Sequence, residues 1–157
     1  MSRILGLVIV CATAWLPAIL MAGEPLLTVS GSGLSKEYDR AALMEMGKVE
    51  ITTTTTWTDG QQTFTGVPLS AILADAGVTA GTIKATAIND YAVAIPVAEV
   101  LGQDWPIVAY ELNGEEMSVR EKGPLWIVYP YDSDPAYRSE IVYSRSVWQL
   151  DRLEIEP

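Results

Sequence analysis

The hydrophobic pattern of the chain consists mainly of short strand-like runs separated by turn residues. Runs that are rich in β-branched residues, or in which apolar and polar residues alternate, predict strands at residues 26–30, 49–56, 83–88, 92–95, 107–112, 125–129 and 146–155. The turn Asn89-Asp90-Tyr91 separates the third run from the fourth, and Asn113-Gly114 after the fifth is a strong hairpin signal. The pattern therefore predicts a protein built largely from strands.

Two segments have apolar residues at helical spacing instead. The first predicts a short helix through Leu43, for which Ser35 or Asp39 is the candidate N-cap. The second predicts a helix over residues 67–76 that ends at Gly77. Both helices are short compared with the combined length of the strands.

Residues 131–143 form the longest segment without a clear pattern, and they predict a polar and aromatic loop. Long loops of this kind often carry binding residues. We find no internal repeat and no second domain. Because the strands outnumber the helices and do not alternate regularly with them, the sequence predicts an α+β fold with a mixed β-sheet and short helices.

The first 22 residues have the pattern of a secretory signal peptide. Arg3 is followed by an uncharged, largely apolar run up to Met21, and small residues suited to cleavage come next. We therefore expect a signal peptide at 1–22 and one exported domain at 23–157, with no membrane insertion after cleavage. The alternative is an uncleaved anchor, because the run is just long enough to span a bilayer. Either way, the domain is expected outside the cytoplasm.

The charge and the missing residue types exclude several functions. The chain has 20 acidic and 10 basic residues and a net charge of -10, which disfavours binding to nucleic acid or to an anionic membrane. It has no histidine, and Cys11 in the predicted signal peptide is its only cysteine. Ser-His-Asp and Cys-His catalysis are therefore excluded for the domain, as are zinc sites built on Cys and His.

Paired carboxylates are the remaining candidates for acid-base catalysis or metal binding. Glu115 and Glu116 follow the hairpin turn and are typical of solvated charges, although a carboxylate pair can hydrolyse glycosides when it is suitably placed. Asp132 and Asp134 offer oxygen ligands for calcium, but the segment lacks the glycine and the distal glutamate of a calcium loop. Neither pair predicts a function on its own.

A site for a planar, polar ligand fits the remaining residues better. Aromatic rings can cover the faces of such a ligand, while carboxylate and guanidinium groups can meet its hydrogen-bonding edge. The candidate rings are those of Trp57, Tyr91, Trp126, Tyr129, Tyr131 and Trp148, and the candidate charges are those of Asp90, Lys122, Arg138 and Arg145. The alternative interpretation of Trp126 and Trp148 is that they are core residues on strands.

Four motifs, in order along the chain, resemble the oxidoreductase molybdopterin-binding domain, which has the sulfite-oxidase-type fold. They are FTGVPL at 64–69, AYELNGE at 109–115, KGPLWIVYP at 122–130 and SRSVWQL at 144–150. Each motif is loose alone, but the ordered set covers nearly all of the predicted domain. The resemblance implies a sulfite-oxidase molybdopterin-binding-like fold.

The chain differs from the enzymes of this family where a metal would bind. Those enzymes ligate molybdenum through a cysteine that follows the strand before the GVPL helix, and the corresponding stretch here, 51–57, contains threonines. Trp126 stands where the family often has a cofactor-binding arginine, and the family's cofactor-binding histidine is absent. Because a hydroxyl is a poor substitute for a soft thiolate, we expect no molybdenum and no enzymatic activity.

A narrower resemblance is to a cysteine-less periplasmic subgroup of this fold, and it includes the motif NDYAVAIP at 89–96. Members of the subgroup are implicated as pterin-binding signalling proteins. They act on a membrane-bound dual diguanylate cyclase and c-di-GMP phosphodiesterase, and so on biofilm formation. The resemblance implies that this chain binds a free, reduced pterin in the periplasm. It would report that ligand to the periplasmic region of such an inner-membrane enzyme.

The same resemblance suggests roles for individual residues and leaves two alternatives open. Asp90 would accept hydrogen bonds from the guanidine-like edge of the pterin, and Trp57 or Tyr129 would stack on its face. Arg145 and Ser144 would meet the carbonyl edge or the side-chain hydroxyls. The first alternative is a molybdopterin-dependent oxidoreductase of the sulfite oxidase type. The second is a structural subunit that binds no ligand and turns the tyrosine-arginine loop towards a protein.

Overall fold

Two β-sheets with short helices make up the part of the chain that the computed structural model describes, residues 23–157. The predicted signal peptide at 1–22 lies outside these residues. The elements are β1 Leu27–Gly31, β2 Leu34–Tyr38, α1 Arg40–Glu45, β3 Val49–Thr54, β4 Gln61–Pro68, α2 Leu69–Asp75, β5 Thr82–Ala87, β6 Ala92–Pro96, β7 Ile107–Leu112, β8 Glu115–Glu116, β9 Trp126–Val128, α3 Glu140–Arg145 and β10 Leu150–Glu156. Short 3₁₀ helices lie at Val97–Glu99, Val119–Glu121 and Pro135–Arg138. Between residues 23 and 157, no helix has the length and apolar character needed to cross a membrane.

The first sheet has the strand order β2-β1-β10-β5-β6. Its neighbouring strands are antiparallel except β1 and β10, which run parallel. The second sheet has the order β3-β4-β7-β8 and is antiparallel, and β9 also pairs with β7. The single parallel pair makes the first sheet mixed, so the predicted α+β class with a mixed sheet is confirmed.

One hydrophobic core joins the two sheets and the first two helices. Alternate residues of β1 face this core, since Leu27 and Val29 are fully buried while their neighbours are not. The strands β7 and β9 are buried along most of their length. The core therefore extends along β9 to the start of the segment 131–143, which was predicted as a loop.

Helix α1 begins as predicted at one of the two candidate caps. The Asp39 carboxylate accepts a hydrogen bond from the backbone N–H of Ala42 at 2.8 Å, whereas Ser35 lies on β2. This bond is the main reason that the pKa of Asp39 is lowered. Helix α2 begins at Leu69, two residues later than predicted, because the residues up to Pro68 pair with β7 instead.

Several elements were not predicted from the pattern. Strand β2 is largely polar and exposed, and β4 lies between β3 and β7 in the second sheet. In β4, Gly66 is required by close packing, since a Cβ there would lie 2.2 Å from the carbonyl oxygen of Val108. The predicted loop at 131–143 is also wrong in part, because it contains a 3₁₀ helix and the start of α3. The hydroxyl of Ser139 caps α3 by accepting from the N–H of Val142.

Candidate functional site

A cavity of about 360 Å³ lies where the β5–β6 turn, α3 and the segment after α3 meet the loop after β3. Its size is within the range of small-molecule sites. Every side chain that lines it is uncharged: Trp57, Ala87, Asn89, Tyr91, Tyr143, Ser144, Ser146, Val147 and Trp148. The cavity can therefore cover the faces of a planar ligand and offer hydrogen bonds without placing a charge against it.

Trp57 is the ring around which the other aromatic residues are arranged. Its ring centroid lies 5.4 Å from that of Trp148 and 5.7 Å from that of Tyr143, both in edge-to-face geometry. The rings of Trp126 and Tyr131 contact it in the same way at 5.9 and 6.3 Å. Because each such pair contributes roughly 0.5–1.5 kcal/mol beyond its buried area, Trp57 is held firmly as one wall of the cavity.

Trp148 forms another part of the wall, in the short segment between α3 and β10. This segment is tied to β9 by a hydrogen bond from the N–H of Ile127 to the carbonyl of Val147 at 2.9 Å. It is tied further by a β-bridge between Trp148 and Trp126. The ammonium group of Lys122 lies 5.3 Å from the Trp148 ring centroid, a cation–π contact. Lys122 therefore supports this wall and does not line the cavity.

The β5–β6 turn brings polar groups to the rim of the cavity. Asp90 has a φ of 66°, a left-handed conformation that aspartate and asparagine adopt more readily than most residues. The N–H of Tyr91 donates to the side-chain oxygen of Asn89 at 3.2 Å, which closes the turn locally. The Tyr91 hydroxyl donates to the carbonyl of Ser144 at 2.9 Å and so links the turn to α3. Asp90 lies beside the rim, where its exposed carboxylate pairs with Arg152.

Tyr131 and Ser146 hold the inner wall in place. The Tyr131 hydroxyl donates to the Ser146 hydroxyl oxygen at 2.6 Å, and Ser146 donates in turn to the carbonyl of Val142 at 2.8 Å. Burial raises the pKa of Tyr131 to about 12, so its hydroxyl stays protonated as a donor near neutral pH. Tyr131 is predicted to bind ligand, but in the structure it supports Ser146 from behind the cavity.

A second, smaller cavity of about 170 Å³ lies against a different face of α3. Tyr129 and Arg145 line it, and the guanidinium group of Arg145 pairs with the Glu99 carboxylate at 2.7 Å. Burial raises the pKa of Tyr129, so this phenol also stays neutral. The structure therefore separates Tyr129 and Arg145 from the cavity around Trp57.

Arg138 takes part in a structural link away from both cavities. It donates to the Asp132 carboxylate at 2.6 Å and to the carbonyl of Tyr131 at 3.0 Å. Asp132 also accepts from the N–H and the hydroxyl of Thr54, at 2.6 and 2.7 Å. These bonds fix the segment after β9 to the end of β3, the strand that leads to Trp57.

We expect acid to weaken this link. The hydrogen bonds from Thr54, and then those from Arg138, hold the pKa of Asp132 below its usual range. A carboxylate of this kind stabilises the folded state above its unfolded pKa of about 3.9, and that contribution is lost as the pH falls through the lower folded pKa. Asp132→Asn should therefore lower the thermal midpoint near neutral pH, and the difference from wild type should shrink in acid. Thermal unfolding followed by circular dichroism at a series of pH values checks this, and a constant difference would contradict it.

The structure brings some of the predicted site residues together and separates others. Trp57, Tyr91, Ser144 and Trp148 line the first cavity, and Asp90 lies beside it. The others do not line it: Lys122, Trp126 and Tyr131 contact its wall residues, while Tyr129, Arg138 and Arg145 lie elsewhere.

Sequence reasoning missed several lining residues, for which signals were present. Asn89 lies in the NDYAVAIP motif, and Ser146 and Val147 lie in the SRSVWQL motif, but the predicted site residues in these motifs were the charged and aromatic members and Ser144. Tyr143 lies in the segment 131–143, which was predicted as a loop of the kind that often carries binding residues, but no pattern distinguished it from the other residues of that loop.

Comparison with known proteins identifies the fold and the family. The sulfane dehydrogenase SoxCD from Paracoccus pantotrophus has a similar fold, with a TM-score of 0.62 and 21% identity over 82% of this chain and 37% of that chain. This chain thus spans little more than a third of the SoxCD chain. A search of curated proteins found no match to this chain. The predicted sulfite-oxidase-type fold is confirmed. The family described as "oxidoreductase molybdopterin binding domain" matches residues 35–133, which is more than half of the sequence, so the chain belongs to this family.

Proposed function

We propose that this chain is a periplasmic, non-enzymatic protein that binds a reduced pterin and reports it to a membrane-bound diguanylate cyclase and c-di-GMP phosphodiesterase. The observation that carries the ligand assignment is the uncharged, ring-lined cavity around Trp57, in a member of a family named for molybdopterin binding. The location and the signalling role rest on the predicted signal peptide and on the resemblance to the cysteine-less periplasmic subgroup.

The bicyclic part of a pterin suits the cavity in shape and in hydrogen bonding. It is flat, so that the rings of Trp57, Tyr143 and Trp148 can cover its faces. Its edge carries both donors and acceptors, which the amide of Asn89 and the hydroxyl of Ser144 can match. A neutral heterocycle also needs no charged group in the wall.

The metal-bearing end of a molybdenum cofactor does not fit the residues at the end of β3. The Thr55 hydroxyl there accepts from the N–H of Trp57 at 3.0 Å and bonds to the Thr58 hydroxyl at 2.7 Å. It is a neutral oxygen within a local turn, whereas molybdenum in this family takes a soft thiolate. Within residues 23–157, no group of three or more His, Cys, Asp or Glu side chains could hold a metal ion.

The anionic dithiolene-phosphate end of the cofactor fits no better. Such an anion needs arginine or lysine as a partner. Two of the nearby cations are in ion pairs: Arg145 pairs with Glu99, and Arg152 pairs with Asp90 and Asp151. The third, Lys122, lies against the Trp148 ring and does not line the cavity. We therefore assign the cavity to the pterin ring system alone and derive no redox step through a metal.

Analysis of the bound small molecule tests the proposal against the enzyme alternative. Full-length protein is expressed with its own leader, purified anaerobically from periplasm and denatured, and the released compounds are identified by mass spectrometry and fluorescence. Molybdenum is measured on the same sample. A pterin without metal is the expected result. Stoichiometric molybdenum would restore the alternative of a molybdopterin-dependent oxidoreductase, and the absence of both would contradict the ligand assignment.

Removing the charge of Asp90 should weaken pterin binding. Its carboxylate is 82% exposed beside the rim, so a ligand edge there can replace Arg152 as its partner. Because a hydrogen bond to a charged group contributes roughly 1.5–3 kcal/mol, Asp90→Asn should raise the Kd about tenfold or more. Asparagine suits the left-handed conformation of this position, so the turn should persist. Anaerobic calorimetry with a tetrahydropterin gives the Kd.

Arg145→Ala provides the comparison for this titration. Arg145 lines the second cavity and pairs with Glu99, so its loss should have a smaller effect on the Kd than the loss of the Asp90 charge. If both variants bind the tetrahydropterin as wild type does, neither residue takes part in pterin recognition and the edge assignment is wrong.

The signalling role predicts a cellular effect that depends on the cavity. In the native host, deletion of the gene should change the c-di-GMP level and surface attachment, and complementation with the wild-type chain should restore both. A Trp57→Ala chain at the same periplasmic abundance should behave like the deletion. Restoration by this variant would separate the cellular role from the cavity.

A further inference from the structure

Strand β6 forms one edge of the first sheet, and half of its backbone groups point away from that sheet. Hydrogen bonds from the N–H of Ala87 to Tyr91 O and from the N–H of Val97 to Gly81 O bracket its pairing with β5. Bonded pairs alternate along an antiparallel ladder, so Val93 and Ile95 exchange hydrogen bonds with β5. The N–H and C=O groups of the residues at 92 and 94 must then face the open side.

No strand of the described chain pairs with this open side, although α3 lies against β6. Ala92 and Ala94 are both exposed, and no hydrogen bond among residues 23–157 uses their outward-facing groups. The strand has no charged residue, and its one proline, Pro96, is at its end. Natural edge strands are usually blunted by charges, prolines or bulges, and β2 at the other edge carries Lys36 and Glu37. Of these protections, β6 has only the proline at its end, Pro96.

The open edge begins at the cavity. Asn89 and Tyr91, which line the cavity rim, are in the turn that leads into β6. In the same turn Ile88 and Tyr91 are each 47% exposed, although both are large apolar side chains. A chain segment that pairs with β6 would therefore reach an apolar contact at the end of the strand nearest the ligand.

We propose that the β6 edge is a docking strand, which binds an extended, basic segment of a partner protein by strand addition. The net charge of -10 selects the kind of occupant, because it attracts lysine- and arginine-bearing segments and repels a second copy of this chain. That this partner is the membrane-bound diguanylate cyclase and c-di-GMP phosphodiesterase rests on the proposed function.

A synthetic peptide of alternating valine and lysine, about eight residues long, serves as the probe, since that length matches an ordinary strand. With the full domain labelled with ¹⁵N, peptide addition should shift the amide resonances at positions 88–96 and slow hydrogen exchange at Ala92 and Ala94. A peptide of alternating valine and glutamate should not bind. Failure of the lysine peptide to bind, or protection that maps to another strand, would overturn the proposal.

Two variants of one residue test the edge itself. Ala94→Pro removes only an outward-facing donor, which an edge strand tolerates, and it should weaken peptide binding about tenfold or more. Ala94→Lys adds a repelling charge at the same place and should weaken binding similarly. The control is Ser35→Lys, since Ser35 and Ala94 lie at opposite ends of one cross-strand row through Ser30, Glu154 and Lys84. Equal binding by Ala94→Pro and wild type, or equal weakening by Ser35→Lys, would overturn the proposal.

Two further measurements separate this inference from the pterin assignment and from self-pairing. Ala94→Pro should keep its affinity for a tetrahydropterin, and Trp57→Ala should keep its affinity for the lysine peptide. If wild type binds the peptide but no pterin, the ligand assignment fails and the docking strand stands. If sedimentation shows a wild-type dimer that Ala94→Pro dissociates, the edge belongs to a second copy of the chain and the proposed basic partner is wrong.

Discussion

Replacing Trp57 with alanine should remove most of the pterin affinity while the protein stays folded. Trp57 is half-buried and forms the wall of the cavity at the point where four other aromatic rings meet. Stacking of a nucleobase-like ring on an aromatic side chain contributes roughly 1–3 kcal/mol, which corresponds to a rise in Kd of about 5- to 150-fold. The upper half of this range is expected, because the neighbouring rings that Trp57 orients also lose their support. Anaerobic titration with a tetrahydropterin measures the change.

Two further substitutions distinguish stacking from a general loss of structure. Trp57→Phe keeps an aromatic face and should recover most of the affinity. Trp105→Ala removes another half-exposed tryptophan, which packs against Tyr137 at the second cavity, and should leave the Kd unchanged. If Trp57→Ala binds like wild type, or if Trp105→Ala binds as weakly as Trp57→Ala, the ligand is not held in the cavity around Trp57.

Much of the fold could be predicted because the information is local. The β5–β6 turn and the Asn113-Gly114 hairpin are defined by adjacent residues, and the cap at Asp39 needs only its own helix. Strand β4 could not be predicted in this way. Its residues before Val67 are mostly polar, and they form a strand because β3 and β7 pair with both of its sides. Helix α3 could not be predicted either, because only Val142 and Tyr143 of its apolar residues pack against the core, whereas Ile141 is exposed.

In the candidate site, too, features that depend on neighbouring residues could be predicted, and contacts between distant residues could not. The motifs indicated which segments form the site, and Trp57, Tyr91, Ser144 and Trp148 do line one cavity. The partners of the charged residues could not be predicted. Arg145 pairs with a carboxylate 46 positions away in sequence, and no local pattern distinguishes such an arginine from one that is free to meet a ligand.

Replacing Trp126 with alanine should have the largest effect on stability. Trp126 is fully buried on β9, where its ring contacts those of Phe64 at 5.2 Å and Trp148 at 6.3 Å. Truncation of a buried tryptophan costs about 3–5 kcal/mol, a large part of the stability of a domain of this size. Urea unfolding followed by circular dichroism measures the free energy of unfolding. A loss below about 1 kcal/mol would contradict the assignment of Trp126 to the core.

Trp126→Phe separates the two roles considered for this residue. The indole N–H of Trp126 is buried and has no hydrogen-bond partner among the described residues. An unpaired buried donor costs roughly 1–3 kcal/mol, so its removal should offset part of the lost packing, and Trp126→Phe should be much less destabilised than Trp126→Ala. If Trp126 only supports the walls formed by Trp57 and Trp148, the phenylalanine variant should also keep its pterin affinity. A stable Trp126→Phe protein that no longer binds the tetrahydropterin would instead show that the indole of Trp126 takes part in ligand binding.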